Sequence, residues 1–181
     1  MKQNILTVLG KDRAGIIASV TGLLYRQGCN LEDISMTVLE GELAMIMVLQ
    51  AGSSNLAQLK TDLEKLARKK HLSIYWKDAE KPLHRGEKHQ RGSQSYLISA
   101  FGRDRTGIVY QTTQLLAKNR LNITDLNSRI LGKGKRALYM MLLEVDIKSH
   151  FPISILEKGL QKLQKTLGVE FKLKATEPIE A

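Results

Sequence analysis

The sequence predicts an α+β protein made of two tandem β-α-β-β-α-β units, each an antiparallel sheet with both helices on one face. Three observations predict it. A loop motif occurs twice, as Gly10-Lys11-Asp12-Arg13-Ala14-Gly15 and Gly102-Arg103-Asp104-Arg105-Thr106-Gly107, 92 residues apart. Each copy follows a short apolar run, Ile5–Leu9 or Tyr96–Phe101, and opens a stripe of apolar residues at helical spacing. The order of strand-like and helix-like segments then recurs, and order, spacing and motif together mark a duplication.

In the first copy, Ile5–Leu9 reads as a strand. Ile16, Ile17, Val20, Leu23 and Leu24 form one stripe of a helix, which Gly28 ends in the manner of a C′ glycine. Leu31–Leu39 carries Ile34, Met36 and Val38 in period two, and Glu40-Gly41-Glu42 turns the chain into the apolar strand Leu43–Leu49. Leu56, Leu59, Leu63 and Leu66 form a second helical stripe, with Lys60, Lys65, Arg68 and Lys69 off it, and Leu72–Trp76 closes the unit.

The second copy matches in the same order. Ile108, Val109, Leu115 and Leu116 repeat the first stripe, Asn122-Ile123 repeats Asn30-Leu31, and Asp125 repeats Asp33. Leu131-Gly132-Lys133-Gly134-Lys135 reads as the hairpin turn and Ala137–Val145 as the strand after it. Leu156, Leu160, Leu163 and Leu167 form the last helical stripe, and Val169–Leu173 the last strand. The expected organisation is a first domain over residues 1–77, a linker over 78–94, a second domain over 95–175 and a tail over 176–181. Two such units make two ferredoxin-like sandwiches. Leu43–Leu49 and Ala137–Leu143 are apolar at nearly every position, whereas a strand open to water on one face alternates. The second face of each sheet is therefore expected to be covered, by the other copy or by a second chain, which keeps a homodimer among the open alternatives.

Charge and composition narrow the function. The net charge is +10, and residues 96–181 alone hold 14 basic and 8 acidic side chains. That balance fits a nucleic acid, an acidic protein surface or simply a solvated basic face. Nucleic-acid modules of this strand order stack bases on aromatics of the central strands. Here Leu43–Leu49 has none and Ala137–Leu143 has only Tyr139, so direct nucleic-acid binding is not expected. No run of 18 apolar residues is present, the N-terminus lacks a signal-peptide core, and Cys29 is the single cysteine. These features fit a reducing cytoplasm and no membrane contact. Cys29 itself reads as a small buried hydrophobe. His84, His89 and Glu87 of the linker lack further converging ligands, so no metal is expected, and Gly132-Lys133-Gly134-Lys135 lacks the glycine spacing and Ser/Thr of a phosphate loop. No nucleophile elbow appears, and no length follows the second copy for a catalytic domain. No enzymatic activity and no cofactor are expected.

Each repeated loop lies where a strand runs into a helix. A helix N-terminus has unpaired N–H groups and a positive dipole end, so it suits a small anion such as a carboxylate. Every residue there also has a structural reading. Asp12 and Asp104 suit helix caps. Gly15 and Gly107 suit close helix–strand packing, Arg13 and Arg105 exposed helix starts, and Asn30 and Asn122 turns after a helix. The copies differ at Ala14/Thr106, Lys11/Arg103 and Thr37/Arg129, so one loop can bind while the other serves structure.

With the loop motif, the Asn-Leu/Ile strand start and the element order together, about 150 residues of the chain resemble tandem ACT domains, small regulatory modules that typically bind amino acids. The resemblance implies that Asp12, Arg13, Ala14, Gly15 and Ile16, and likewise Asp104, Arg105, Thr106, Gly107 and Ile108, hold a ligand carboxylate through backbone N–H groups. It also implies that Asn30 and Asn122 help to grip the ligand amino group. Glycine is the implied effector and a transcription activator the implied protein partner, with ligand shifting the packing of ACT units; the alternative role is that of a stand-alone ACT regulatory subunit of a metabolic enzyme.

Overall fold

A computed structural model describes residues 2–52, 56–80, 83, 88–90, 92–134 and 137–176. Pro82, His84, Gly86 and Glu87 of the linker, and Lys135 of the second hairpin, lie outside the described residues. Two compact units are present, residues Met1–Glu87 and Lys88–Ala181. The first contains β1 (Lys2–Lys11), α1 (Ile16–Arg26), β2 (Asn30–Leu39), β3 (Glu42–Ala51), α2 (Leu56–Lys70) and β4 (Ser73–Asp78). The second contains β5 (Ser93–Arg103), α3 (Ile108–Lys118), β6 (Asn122–Leu131), β7 (Leu138–Lys148), α4 (Ile153–Leu167) and β8 (Val169–Ala175). Both sheets are antiparallel with corresponding orders, β2-β3-β1-β4 and β6-β7-β5-β8. The ferredoxin-like α+β fold is therefore present twice.

The elements form where the patterns place them, and the strands run further than their apolar runs. β1 begins at Lys2 and β5 at Ser93, because pairing with β3 and β7 fixes polar residues into the ladder as well. One core fills the first unit, with Leu6, Val8, Met45, Met47 and Leu49 from the sheet against Ile16, Val20, Leu59 and Leu63 from the helices. In the second unit Ile98, Leu143, Val145, Leu116, Leu156 and Leu160 do the same. Helix α1 ends in a Schellman turn: the Gly28 amide donates to Tyr25 O and the Cys29 amide to Leu24 O, with Gly28 at φ 68°. Helix α3 closes identically through Arg120 and Leu121, although Arg120 stands at φ 56° where glycine would be unstrained. The β2–β3 turn is a two-residue loop, Glu40-Gly41, with positive φ at both residues, as the right-handed twist of a hairpin favours.

Within each unit the helices cover only one face of the apolar strands. Along β3 the helix-facing Leu43, Met45, Met47 and Leu49 are buried, whereas Ile46 on the other face is 53% exposed. Registers place Leu9 and Leu39 on the same open face as Ile46, and Phe101 and Leu142 on that of the second sheet, all of them exposed. Within each unit this face carries exposed aliphatic side chains, the kind of face that the other copy or a second chain is expected to cover. The apolar composition of β3 and β7 reflects burial on one face and exposed aliphatic side chains on the other. Tyr139 faces the helices and is buried, so it forms no stacking platform on the open face.

Leu83, Lys88, His89 and Gln90 of the linker are hydrogen-bonded to residues of the sheets. Leu83 exchanges two hydrogen bonds with the Gln3 side chain, and Gln3 and Gln50 both donate to Glu32. In the second unit the Asp146 side chain, 1% exposed, accepts from the Gln90 amide (2.7 Å) and lies 2.8 Å from His89 Nδ1. Lys88 donates to Glu144 at 2.6 Å, and Ser95 and Thr124 donate to the same carboxylate. Thr176 continues past β8 by donating twice to Ser95 O, so the tail is tied at its first residue.

The hydrogen bond from Lys88, helped by Ser95 and Thr124, holds the Glu144 carboxyl below its ordinary value of 4.5. The same bond raises Lys88 above 10.5. A lowered carboxyl favours the folded state while it is ionised. Its contribution is therefore complete above the ordinary glutamate value and is lost as the pH falls through the lower folded value. Thermal unfolding followed between about pH 3 and 7 should show the second unit losing stability below about pH 4.5, and Glu144→Gln should flatten that limb. An unchanged acid limb in Glu144→Gln would rule the contribution out.

Candidate functional site

The two repeated loops adopt the same backbone. After β1 the Asp12 amide donates to Gly41 O at 2.8 Å, tying the loop to the β2–β3 turn. After β5 the Asp104 amide donates to Ala137 O at 3.3 Å. Each helix then starts at a left-handed glycine, Gly15 at φ 86° and Gly107 at φ 98°, with no side-chain cap hydrogen bond. Asp12 and Asp104 are thus not the helix caps, because the left-handed glycine occupies that position three residues later. The Ile16 amide donates back to Arg13 O at 3.3 Å, and with the cap position lacking a side-chain oxygen the amides that follow it in α1, and those of the first turn of α3, keep donor capacity beside the positive end of the helix dipole. Ser19 and Gln111 close the first turns by donating to Gly15 O and Gly107 O.

The glycines of each motif divide two tasks, positive φ and close approach. Gly15 has no heavy atom within 4 Å of a built Cβ, and Gly107 only Gln111 Nε2 at 3.4 Å, so close packing is not their constraint; their positive φ is. Close approach belongs instead to the first glycine of each motif. A Cβ on Gly10 would lie 2.7 Å from Leu72 Cδ2, and one on Gly102 would lie 2.9 Å from Val169 Cα.

The arginines reach the far end of the other helix. Arg13 Nη2 donates to Lys70 O at the C-terminus of α2, at 2.5 Å. The Arg105 guanidinium lies beside Gly168, which caps the C-terminus of α4, within 3.9 Å of a built Cβ there. A cation at a helix C-terminus complements the dipole. Both arginines therefore brace the loop against the second helix, a role that neither the ligand reading nor the exposed-helix-start reading gave them. Asp12, Arg13, Ala14, Asp104, Arg105 and Thr106 are exposed, and Ile16 and Ile108 are buried as the first core residue of each helix.

Asn30 and Asn122 stand at the opposite end of each unit. Gly10 pairs with Leu43 and Asn30 with Gln50 along the same strand. Seven residues of strand separate them, about 23 Å at about 3.3 Å per residue. Gly102–Tyr139 and Asn122–Asp146 repeat that separation. Each asparagine is exposed and opens its strand just after the helix-ending turn. Within one unit the loop and the asparagine cannot grip the same small molecule.

One residue near the second loop carries a signal that sequence reasoning missed. Tyr139 pairs with Gly102 across the sheet and is 7% exposed, yet among the described residues its hydroxyl has no hydrogen-bond partner. Its cluster contains Ile108, the first residue of α3, and Leu167, the last of α4. A buried hydroxyl left unpaired costs about 1–3 kcal/mol, so it calls for an explanation. The counterpart at the same register in the first unit is Leu43, paired with Gly10. That exchange of an aliphatic residue for a hydroxyl-bearing one was the available clue.

Two sheet-and-helix units, each with a glycine-bounded loop feeding an uncapped helix, define a tandem repeat of one small ferredoxin-like module. The model of the ACT domain matches residues 2–77 and 94–174, and the chain belongs to the ACT-domain family. A UPF0237 protein of Methanopyrus kandleri is 36% identical over 67 residues, covering 36% of this chain and 74% of its own length. One of Clostridium acetobutylicum is 37% identical over 76 residues, covering 41% of this chain and 85% of its own length. Among solved structures, an unknown protein from Galdieria sulphuraria has a TM-score of 0.77 at 23% identity, covering 97% of this chain and 99% of its own. A candidate glycine cleavage system transcriptional repressor has a TM-score of 0.70 at 20% identity, covering 98% of each chain. At those identities the two structures share the fold with this chain. No helix among the described residues is long and apolar enough to cross a membrane.

Proposed function

We propose that this chain is a non-enzymatic, amino-acid-responsive negative regulator of transcription in the cytoplasm, with glycine as its effector and a transcription activator as its protein partner, acting on the glycine cleavage system. The observation that carries the reading is the uncapped start of α1 and α3, where a left-handed glycine replaces a capping side chain and leaves amide donors for a carboxylate. The family's regulatory character and the repressor among the structural neighbours support the choice of glycine and of transcription as the process. Asp12–Ile16 and Asp104–Ile108 supply the carboxylate end of the site. Because Asn30 and Asn122 lie about 23 Å from the loop of their own unit, an asparagine that grips the ammonium group comes from another ACT unit, and ligand binding is coupled to the packing of ACT units.

Isothermal titration of the full chain against glycine and a panel of other amino acids tests the reading. Saturable heat with glycine, and a ligand-dependent shift in sedimentation, are expected. The absence of saturable heat with any amino acid would overturn it.

A further inference from the structure

The open faces of the two sheets have the same strand order and different charge. In the first unit Lys11 stands opposite Glu42 and Thr37 opposite Ala44, so cation and anion balance at the end of that face nearest the loop. At the same register positions of the second unit Arg103 stands opposite Leu138 and Arg129 opposite Met140. A carboxylate has given way to an apolar side chain, and a hydroxyl to a guanidinium. We propose that this end of the open face of the second sheet is a docking surface for an acidic segment of a protein partner, one that carries an apolar side chain between its carboxylates. The proposal rests on the reading that the chain works through a protein partner, and adds where that partner binds and by what chemistry.

Three observations select the occupant. Phe101, two residues from Arg103 on β5 and two strands from Arg129, is 46% exposed, and Leu138 and Leu142 beside it are 37% and 40% exposed. Arg103 and Arg129 are exposed, and among the described residues neither makes a hydrogen bond or an ion pair. The carboxylates of the same face are already engaged: Glu144 by Lys88, Glu170 by Lys172, Asp125 by Asn127 and Asp146 by the Gln90 amide. An apolar centre with arginine at its margin is the anatomy of a protein interface. Unpaired guanidiniums at that margin call for carboxylates, which their paired N–H groups bind with two parallel hydrogen bonds. Two strand spacings and two residues of rise put Arg103 and Arg129 about 12 Å apart, which sets the spacing of the partner's acidic groups. A second copy of the chain does not complement this surface, because it carries a net charge of +10 and its own carboxylates on this face are bonded. Single-stranded nucleic acid stacks successive bases on several aromatic rings, and Phe101 is the one aromatic side chain among the described residues of this face.

Fluorescence anisotropy of a labelled synthetic peptide that alternates glutamate with leucine, titrated with the full chain, tests this, with a polyglutamate peptide and oligo(dT) as parallel probes. The glutamate–leucine peptide is expected to bind saturably and more tightly than either other probe. Arg129→Glu and Phe101→Ala are each expected to weaken it by about ten-fold or more. Thr37→Glu, at the register position of Arg129 in the first unit, is expected to leave it unchanged. All three side chains are exposed, and thermal unfolding of each variant checks that the fold is kept. No binding of the glutamate–leucine peptide, wild-type affinity in Arg129→Glu and Phe101→Ala, or equal weakening by Thr37→Glu would overturn the assignment. Tighter binding of oligo(dT) would overturn it in favour of a nucleic acid. Self-association in sedimentation that Arg129→Glu abolishes would overturn it in favour of a second copy. Glycine titration of the same proteins reports on the regulatory reading separately. Saturable glycine heat without peptide binding sinks the docking surface alone, and absence of glycine heat sinks that reading while the peptide result still decides the surface.

Discussion

Gly102→Ala is expected to destabilise the second unit by about 2–3 kcal/mol, which lowers its unfolding temperature by roughly 10–20 °C for a unit of this size. The added Cβ would stand 2.9 Å from Val169 Cα and 2.9 Å from Val169 Cγ1. A backbone atom cannot rotate away, so β8 would have to move off β5, to which Gly102 and Val169 are directly paired. The first copy supplies an internal control. At Gly10 the tightest contact is Leu72 Cδ2 at 2.7 Å, the end of a flexible side chain, with His71 O at 3.2 Å. Gly10→Ala is therefore expected to cost less than about 1 kcal/mol. Urea unfolding of the two variants would show the contrast, and equal midpoints would contradict it.

Gly107→Val is expected to cost about 2 kcal/mol for a different reason. Space is available at the position, but φ is 98°, where a β-branched residue is strongly disfavoured. Gly15→Val, at φ 86° with nothing within 4 Å, should cost a similar amount. The chain relieves the strain by rotating the peptide at the helix start, and that rotation turns away the amides proposed to hold a carboxylate. The variants should therefore lose ligand heat as well as stability, whereas Gly102→Ala, once folded at low temperature, retains the loop conformation. Retained binding in Gly107→Val would show that the first-turn amides of α3 are not used.

Much of this was legible in one dimension. The repeat at 92 residues, the helical stripes and the period-two run in Leu31–Leu39 report which residues share a face, and a face is buried or not according to local geometry alone. The loop motif was legible as a strand-to-helix junction, and Gly28 and Gly41 were legible because a left-handed turn has few acceptable residues. The site was less legible. The task of Gly15 and that of Gly10 look the same in a string of letters, since lack of a side chain serves both conformation and close approach. The bracing role of Arg13 and Arg105 was not legible because the helix ends that they reach, Lys70 and Gly168, lie 57 and 63 residues further along.

What the sequence determined by itself was the duplication, the order of elements and the two loops as strand-to-helix junctions. Those features depend on periodicity and on residues a few positions apart. What only the tertiary structure decided was which of them meet. Strand register put Asn30 and Asn122 at the end of each sheet away from the loops, separated by the length of seven strand residues. The same register set Tyr139 opposite Gly102, with its buried hydroxyl unpaired among the described residues. Register is set by pairing between distant segments, and a polar group buried without a partner becomes visible only once every neighbour has its place.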